Sequence, residues 1–179
     1  MEKYKYIDHY AENWAILLRL KITLIIVYCE IIQKGEIMNT IDELEKYLEE
    51  NCYSFQELTI GKHHAPEGII IEENNGSYDF SYSERGNKSI LRSFDNEKDL
   101  VEYALLSIKN DKWSNAHLVA WVYEEKIIIK AENDLRDMGI NFKRNDISNY
   151  MQGVTAYRIF VFGKDILKLD EFKKKYFKR

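Results

Sequence analysis

The adjacent histidines His63 and His64 are the residues of this sequence that come nearest to a metal-binding pair. Imidazole nitrogens bind zinc and related ions, but the side chains of neighbouring residues diverge and seldom hold one ion together. No histidine at HxH or HExxH spacing and no cysteine pair stands near them, and His9 and His117 are isolated. We therefore expect an exposed loop pair, with no metal site and no cofactor.

Nucleophilic and phosphate-binding chemistry has no better support in the sequence. Cys52 follows a helical pattern without a catalytic signature around it, and GxSxG, GxxxxGK[ST] and GxGxxG motifs are absent. The carboxylate pairs Glu72-Glu73 and Glu124-Glu125 are adjacent, so on a strand the members of each pair would point to opposite faces. The sequence predicts a protein without a catalytic centre. A small hydrolase or transferase whose site is assembled from distant segments is the alternative.

A polar strand face followed by a charged turn favours a protein-binding function. Over residues 78–83, aromatic and small polar residues alternate with a period of two, which is typical of a strand with one apolar and one solvent-facing side. Tyrosine and arginine are frequent anchors of protein interfaces. We predict a partner-binding surface here, and an ordinary solvent-facing surface is the alternative. The residues assigned to it are Asp79, Ser81, Tyr82, Ser83, Glu84, Arg85 and Lys88.

The composition also fits a folded protein that binds another protein. The 179 residues are 45% hydrophobic, which is enough to form a core, and the formal net charge is −4 with a pI near 5.7. Nucleic-acid-binding proteins usually present a basic face, so direct binding to nucleic acid is not expected, whereas an acidic protein suits a basic partner. The two unclustered cysteines, Cys29 and Cys52, indicate no disulfide framework. They favour a reducing compartment, the cytoplasm.

Hydrophobic periodicity and turn signals predict an α+β fold, because most of the strands precede most of the helices. The expected architecture is an antiparallel β-meander of four to five strands packed against several helices. Strands are expected over 55–60, 69–71, 78–82, 90–94 and 157–162. Helices are expected over 40–50 with a Thr40–Glu43 capping box, after an Asp95 cap, over 114–138 up to Gly139, over 147–151, and around Phe172 and Tyr176.

The first 37 residues form a segment of different character. Residues 14–32 are very apolar, but charged residues interrupt them, and the uncharged run 22–29 is too short to span a bilayer, which needs about 20 residues. No membrane association is expected. Residues 34–38 back-translate to AAA GGA GAA ATA ATG, which resembles a ribosome-binding sequence before a start codon. One hypothesis is therefore that translation begins at Met38, and the other is that 1–37 form an appended apolar helix. In both cases 38–179 are expected to form a single domain.

The stretch from Tyr53 to Leu105 resembles a family of small α+β immunity proteins from bacterial polymorphic-toxin systems. The helix and strand pattern that follows, up to Phe162, is compatible with this family, whereas residues 1–37 fall outside it. The residues that carry the resemblance are Ser54, Phe55, Leu58, Ile60, Gly61, Glu67, Gly68, Tyr78, the run Tyr82-Ser83-Glu84-Arg85-Gly86-Asn87-Lys88, Phe94, Glu102 and Tyr103.

This resemblance implies a protein that binds and neutralises a cognate toxin by occluding its active surface. Many toxins of such systems are basic nucleases, which would agree with the acidic charge of this chain. A non-catalytic regulatory or scaffolding module that binds another bacterial cytosolic protein is the alternative function.

Overall fold

The structure is a computed structural model that describes residues 38–178. The chain divides into two units, Met1–Asn39 and Thr40–Arg179, and the fold described below is that of the second unit. The apolar stretch 14–32 lies outside the described range. The two hypotheses about residues 1–37 also concern residues outside this range.

Within that range the fold contains helices and strands in mixed order. None of the described helices has the length and the apolar character needed to cross a membrane. The helices are α1 (Ile41–Glu50), α2 (Glu97–Asn110), α3 (Glu125–Asp137) and α4 (Asp170–Tyr176), and a 3₁₀ helix (Gly163–Lys168) precedes α4. The strands are β1 (Leu58–Ile60), β2 (Gly68–Asn74), β3 (Ser77–Glu84), β4 (Asn87–Phe94), β5 (Ala116–Val122), β6 (Phe142–Arg144), β7 (Ile147–Met151) and β8 (Val154–Phe162).

The first sheet has the strand order β1-β2-β3-β4. Strands β2, β3 and β4 are antiparallel, whereas β1 pairs with β2 in parallel. Helix α2 packs against one face of this sheet, where the ring of Phe80 meets the ring of Tyr103 edge to face at 5.1 Å. Helix α1 packs against α2 and adds Leu44 and Leu48, both fully buried, to the same core.

The second sheet is built around β8, which pairs with β5 on one side and with β6 and β7 on the other. Helices α3 and α4 pack against it. Each places its apolar residues towards the sheet, as expected for amphipathic helices. The core between these layers consists of Val119, Ala120, Val122, Ile128, Ala131, Leu135, Ile140, Ile159, Val161, Leu169, Phe172 and Tyr176.

The predicted α+β class is confirmed, and the best-predicted elements are those with local signals. Helix α1 begins at the predicted capping box, in which Thr40 and Glu43 each bind the backbone N–H of the other. The expected cap of α2 is one residue off, because Asn96, and not Asp95, accepts a hydrogen bond from the backbone of Asp99. The expected single meander is also corrected: β1 is parallel, and β5 to β8 form a separate sheet.

The predicted helix over 114–138 is wrong in its first half, which is strand β5 followed by α3. Residues 119–122 of β5 are all buried, because α3 and α4 pack against this strand and the ring of Tyr150 packs edge to face on Trp121 at 5.2 Å. A strand buried on both faces has a continuous run of apolar residues instead of an alternation of apolar and polar residues. Such a run does not distinguish a strand from a buried helix. The predicted helix over 147–151 is likewise strand β7, which forms a hairpin with β8.

Candidate functional site

The predicted partner-binding residues of β3 do not share one face of the sheet. Tyr82 lies on the same side as Phe80, whereas Asp79, Ser81 and Ser83 lie on the opposite side. The side chain of Tyr82 is 41% exposed, but Asp79 and Ser81 are only 1% and 0% exposed. The prediction that Asp79 and Ser81 face solvent is therefore wrong.

Neighbouring side chains account for the burial of these two small residues. Asp79 accepts hydrogen bonds from the Nδ2 of Asn74 at 3.1 Å, the hydroxyl of Ser77 at 3.3 Å and the hydroxyl of Ser93 at 2.7 Å. The register places Ser81 between Ile70 of β2 and Ile90 of β4, both of which have larger side chains. Asp79 is thus a structural acceptor that joins the ends of three strands.

The hydrogen bonds to Asp79 make one contribution to stability depend on pH. The hydrogen bonds from Ser93, Asn74 and Ser77 lower the pKa of Asp79, since they favour its charged form. A carboxyl group whose pKa is lower in the folded state stabilises the fold above its unfolded pKa, and this stabilisation is lost as pH falls through the folded pKa. We expect Asp79→Asn to have a lower free energy of unfolding than the wild type at neutral pH. This difference in free energy becomes smaller below about pH 4, where Asp79 of the wild type becomes protonated. Urea unfolding followed across pH 2.5–7 measures this difference, and a difference that stays constant over this range would contradict the assignment.

The remaining predicted residues lie at the exposed end of the β3–β4 hairpin. Glu84, Arg85 and Lys88 are exposed, and Ser83 is half-buried. The backbone N–H of Arg85 donates to Oε1 of Glu67 at 3.1 Å, and the ammonium of Lys88 forms an ion pair with Glu72. These contacts hold the hairpin against β2, so the turn is a defined surface.

Among the strands of residues 38–178, β4 is the edge of the first sheet, and it is exposed along residues 87–93. Ile90 and Leu91 are 54% and 57% exposed, which is unusual for two consecutive aliphatic residues on an edge strand. An open edge with apolar side chains is a template for contact with another chain, and monomeric proteins usually protect such edges. This surface was only partly predicted, because Lys88 is the one residue of β4 among the predicted partner-binding residues.

A cleft of about 310 Å³ opens beside Tyr82, on the other side of the sheet from Asp79. One wall of the cleft is formed by β1 to β3, through Leu58, Ile69, Phe80 and Tyr82. The opposite wall comes from the C-terminal end of α2, the loop that follows it, and β5 and β8. The apolar lining consists of Leu58, Ile69, Phe80, Tyr82, Ile108, Trp113, Ala116 and Phe160.

Trp113 is the largest side chain of the cleft wall, and its position is fixed by several contacts. Its ring packs edge to face on Phe160 at 5.3 Å, and the ammonium of Lys143 lies 4.7 Å from the ring centroid. Its backbone N–H donates to Oδ1 of Asp111 at 2.9 Å. The wall is therefore preformed, which lowers the entropic cost of binding a ligand.

The chemistry of this lining suits binding. Its polar members are Ser54, Gln56, Glu57, Ser107, Asp111 and Ser114. Two of them form hydrogen bonds that stabilise the loop after α2. Asp111 accepts a hydrogen bond from the backbone N–H of Trp113, and the hydroxyl of Ser114 donates one to the carbonyl of Ile108 at 2.8 Å. Among the described residues that line the cleft, no histidine, cysteine or lysine stands beside a serine to activate it.

A second group with chemical potential lies between α1 and the β1–β2 loop. Glu45 and Glu49 of α1 converge with His63, and one oxygen or nitrogen atom of each lies within 4.8 Å of the others. The sequence analysis placed His63 and His64 together in an exposed loop. The structure separates them, because His64 is exposed whereas His63 is half-buried and its ring stacks on Phe55 at 3.7 Å.

Only some of the residues of these two sites could be predicted from the sequence. Glu45 and Glu49 are four residues apart on a predicted helix, a spacing that places them on one face. Their approach to His63 depends on the path of the β1–β2 loop, which no local pattern specifies. Trp113 was not among the predicted site residues, so its place in the cleft lining was missed.

Comparison with known proteins gave no match to a family model, to a curated protein or to a solved structure.

Proposed function

We propose that this chain is an immunity protein that binds a bacterial protein toxin and neutralises it by covering the toxin's active surface. The cleft beside Tyr82 and the exposed strand β4 form the contact surface. The chain acts without catalysing a reaction, in the cytoplasm of the cell that makes the toxin.

The observation that carries the proposal is the preformed cleft next to an open sheet edge. A side chain that protrudes from a partner enters the cleft between Tyr82 and Trp113, while the exposed strand β4, which lies beside Tyr82 through the pair Tyr82–Ser89, contacts the surrounding surface. Tyrosine and tryptophan at the centre of an interface, in positions that exclude water, supply most of the affinity of typical complexes. Tyr82 lines the cleft and is paired with Ser89 of β4, so a single partner reaches both the cleft and the edge.

Two features of the sequence support a toxin as this partner. The resemblance to immunity proteins covers residues 53–105, which include all four strands of the first sheet. The net charge of −4 suits a basic toxin such as a nuclease, because charge complementarity raises the association rate.

Co-expression in bacteria tests the proposal. The partner tested is the C-terminal domain encoded by the gene immediately upstream, provided that its expression alone stops growth. We expect the chain to restore growth and to co-purify with the toxin domain in one-to-one stoichiometry, while an unrelated toxin domain still stops growth. Failure of both rescue and co-purification would refute the proposal.

A further inference from the structure

The group formed by Glu45, Glu49 and His63 has the geometry of a three-residue metal ligand set. Nε2 of His63 is 2.7 Å from Oε1 of Glu49 and 3.8 Å from Oε1 of Glu45. Neighbouring ligands of a tetrahedral zinc ion are roughly 3.4 Å apart, given bonds near 2.1 Å. The two observed separations lie on either side of that value, so small side-chain movements place all three donors around one ion.

The loop that carries His63 is closely fitted to the two glutamates. Gly61 adopts a φ of +51°, and a Cβ at this position would lie 2.4 Å from Oε2 of Glu45. The backbone N–H of Lys62 donates to Oε1 of Glu45 at 2.9 Å. Backbone hydrogen bonds in both directions join His63 to Ile60. Ligands that are held in place by such surrounding contacts bind a metal with little reorganisation.

Among the described residues, Glu45 and Glu49 form ion pairs with Lys62 and His63. The ammonium of Lys62 lies 2.7 Å from Oε1 of Glu49. One ammonium neutralises one of the two carboxylates. The side chain of Lys62 is 69% exposed, whereas that of Glu45 is 14% exposed. A cation that replaced this ammonium would let Lys62 move into solvent and would neutralise both carboxylates.

We propose that Glu45, Glu49 and His63 bind one zinc ion, with water as the fourth ligand and Lys62 displaced into solvent. An imidazole with two carboxylates suits zinc, whereas magnesium and calcium prefer a full set of oxygen ligands. The site links α1 to the β1–β2 loop, and none of its three ligands lines the cleft proposed to bind the toxin. It neither requires nor tests toxin binding.

Competition titration with a chromogenic chelator tests the site in the untagged full-length chain. We expect one zinc ion per chain. His63→Asn and Glu49→Gln each weaken zinc binding at least about tenfold, since each removes a ligand. His64→Asn is the matched control, because the exposed neighbouring imidazole takes no part, and it keeps the affinity of the wild type. Lys62→Gln binds zinc several-fold more tightly, because the competing ammonium is gone.

Thermal unfolding provides the second measurement. Zinc raises the unfolding midpoint of the wild type and of His64→Asn but leaves those of His63→Asn and Glu49→Gln unchanged, because a ligand stabilises the folded state it binds. Midpoints in excess chelator show that each variant is folded before the comparison is made. The proposal is overturned if the wild type takes up no zinc, if His63→Asn binds as tightly as the wild type, or if magnesium raises the midpoint as much as zinc does.

Discussion

Gly68→Ala is expected to lower the free energy of unfolding by roughly 3 kcal/mol or more, through a backbone clash added to backbone strain. Gly68 begins β2 with a φ of +117°, a region that residues with a side chain rarely adopt. A Cβ here would lie 2.1 Å from the carbonyl oxygen of Glu57. That oxygen already accepts a hydrogen bond from the backbone N–H of Ile69 at 2.9 Å. The strand cannot move aside without breaking the β1–β2 contact.

Gly76→Ala is the matched control for this effect. Gly76 also has a positive φ, +87°, but a Cβ added there would have no heavy atom within 4 Å. The free energy of unfolding of Gly76→Ala should therefore fall only by the cost of the backbone strain, about 1 kcal/mol. Urea unfolding of both variants, followed by tryptophan fluorescence, gives the two losses. If both variants lost the same free energy of unfolding, the close approach of β2 to Glu57 would not contribute to the effect of Gly68→Ala.

The second large effect concerns the partner. Tyr82→Ala is expected to weaken binding of the toxin by about 30-fold, which corresponds to the loss of roughly 2 kcal/mol at an interface anchor. Tyr82 is 41% exposed at the mouth of the cleft, so its loss should alter the contact surface while the core stays intact. Titration calorimetry with the purified toxin domain measures the change.

Tyr123→Ala is the control for Tyr82→Ala. Tyr123 has a similar exposure of 37%, but it follows β5 in the second sheet and packs on Tyr150, away from the cleft lining. We expect its affinity to stay within about twofold of the wild type, as for most surface positions outside an interface. If both variants bind like the wild type, or if Tyr123→Ala loses as much affinity as Tyr82→Ala, the contact surface is wrongly assigned.

The elements that could be predicted from the sequence are those whose signals lie within a few residues. The capping box of Thr40 and Glu43 marked the start of α1, and the alternation over residues 78–83 marked strand β3. Strands β5 and β7 could not be recognised in this way, because their pairing with β8 joins residues far apart in the chain. Non-local pairing overrides local propensity at such positions.

The same limit applies to the candidate site. Tyr82 was selected because it lies on an alternating strand beside a charged turn. Trp113 and Phe160 reach the cleft from other segments, and nothing near them in sequence indicates it. The alternation at Asp79 and Ser81 was correctly identified, but the solvent-facing side was inferred from polarity alone. Three hydrogen bonds to Asp79 satisfy its carboxylate at a buried position, so polarity there does not indicate exposure.

Hydrogen–deuterium exchange of the chain, alone and saturated with the toxin domain, is the most direct test of the proposed contact. Slower amide exchange in β3 and β4 and in residues 107–116, where the cleft and the open edge lie, is the result we predict. Unchanged exchange in these segments, with protection confined to α3 or α4, would mean that the partner binds elsewhere and would contradict the account.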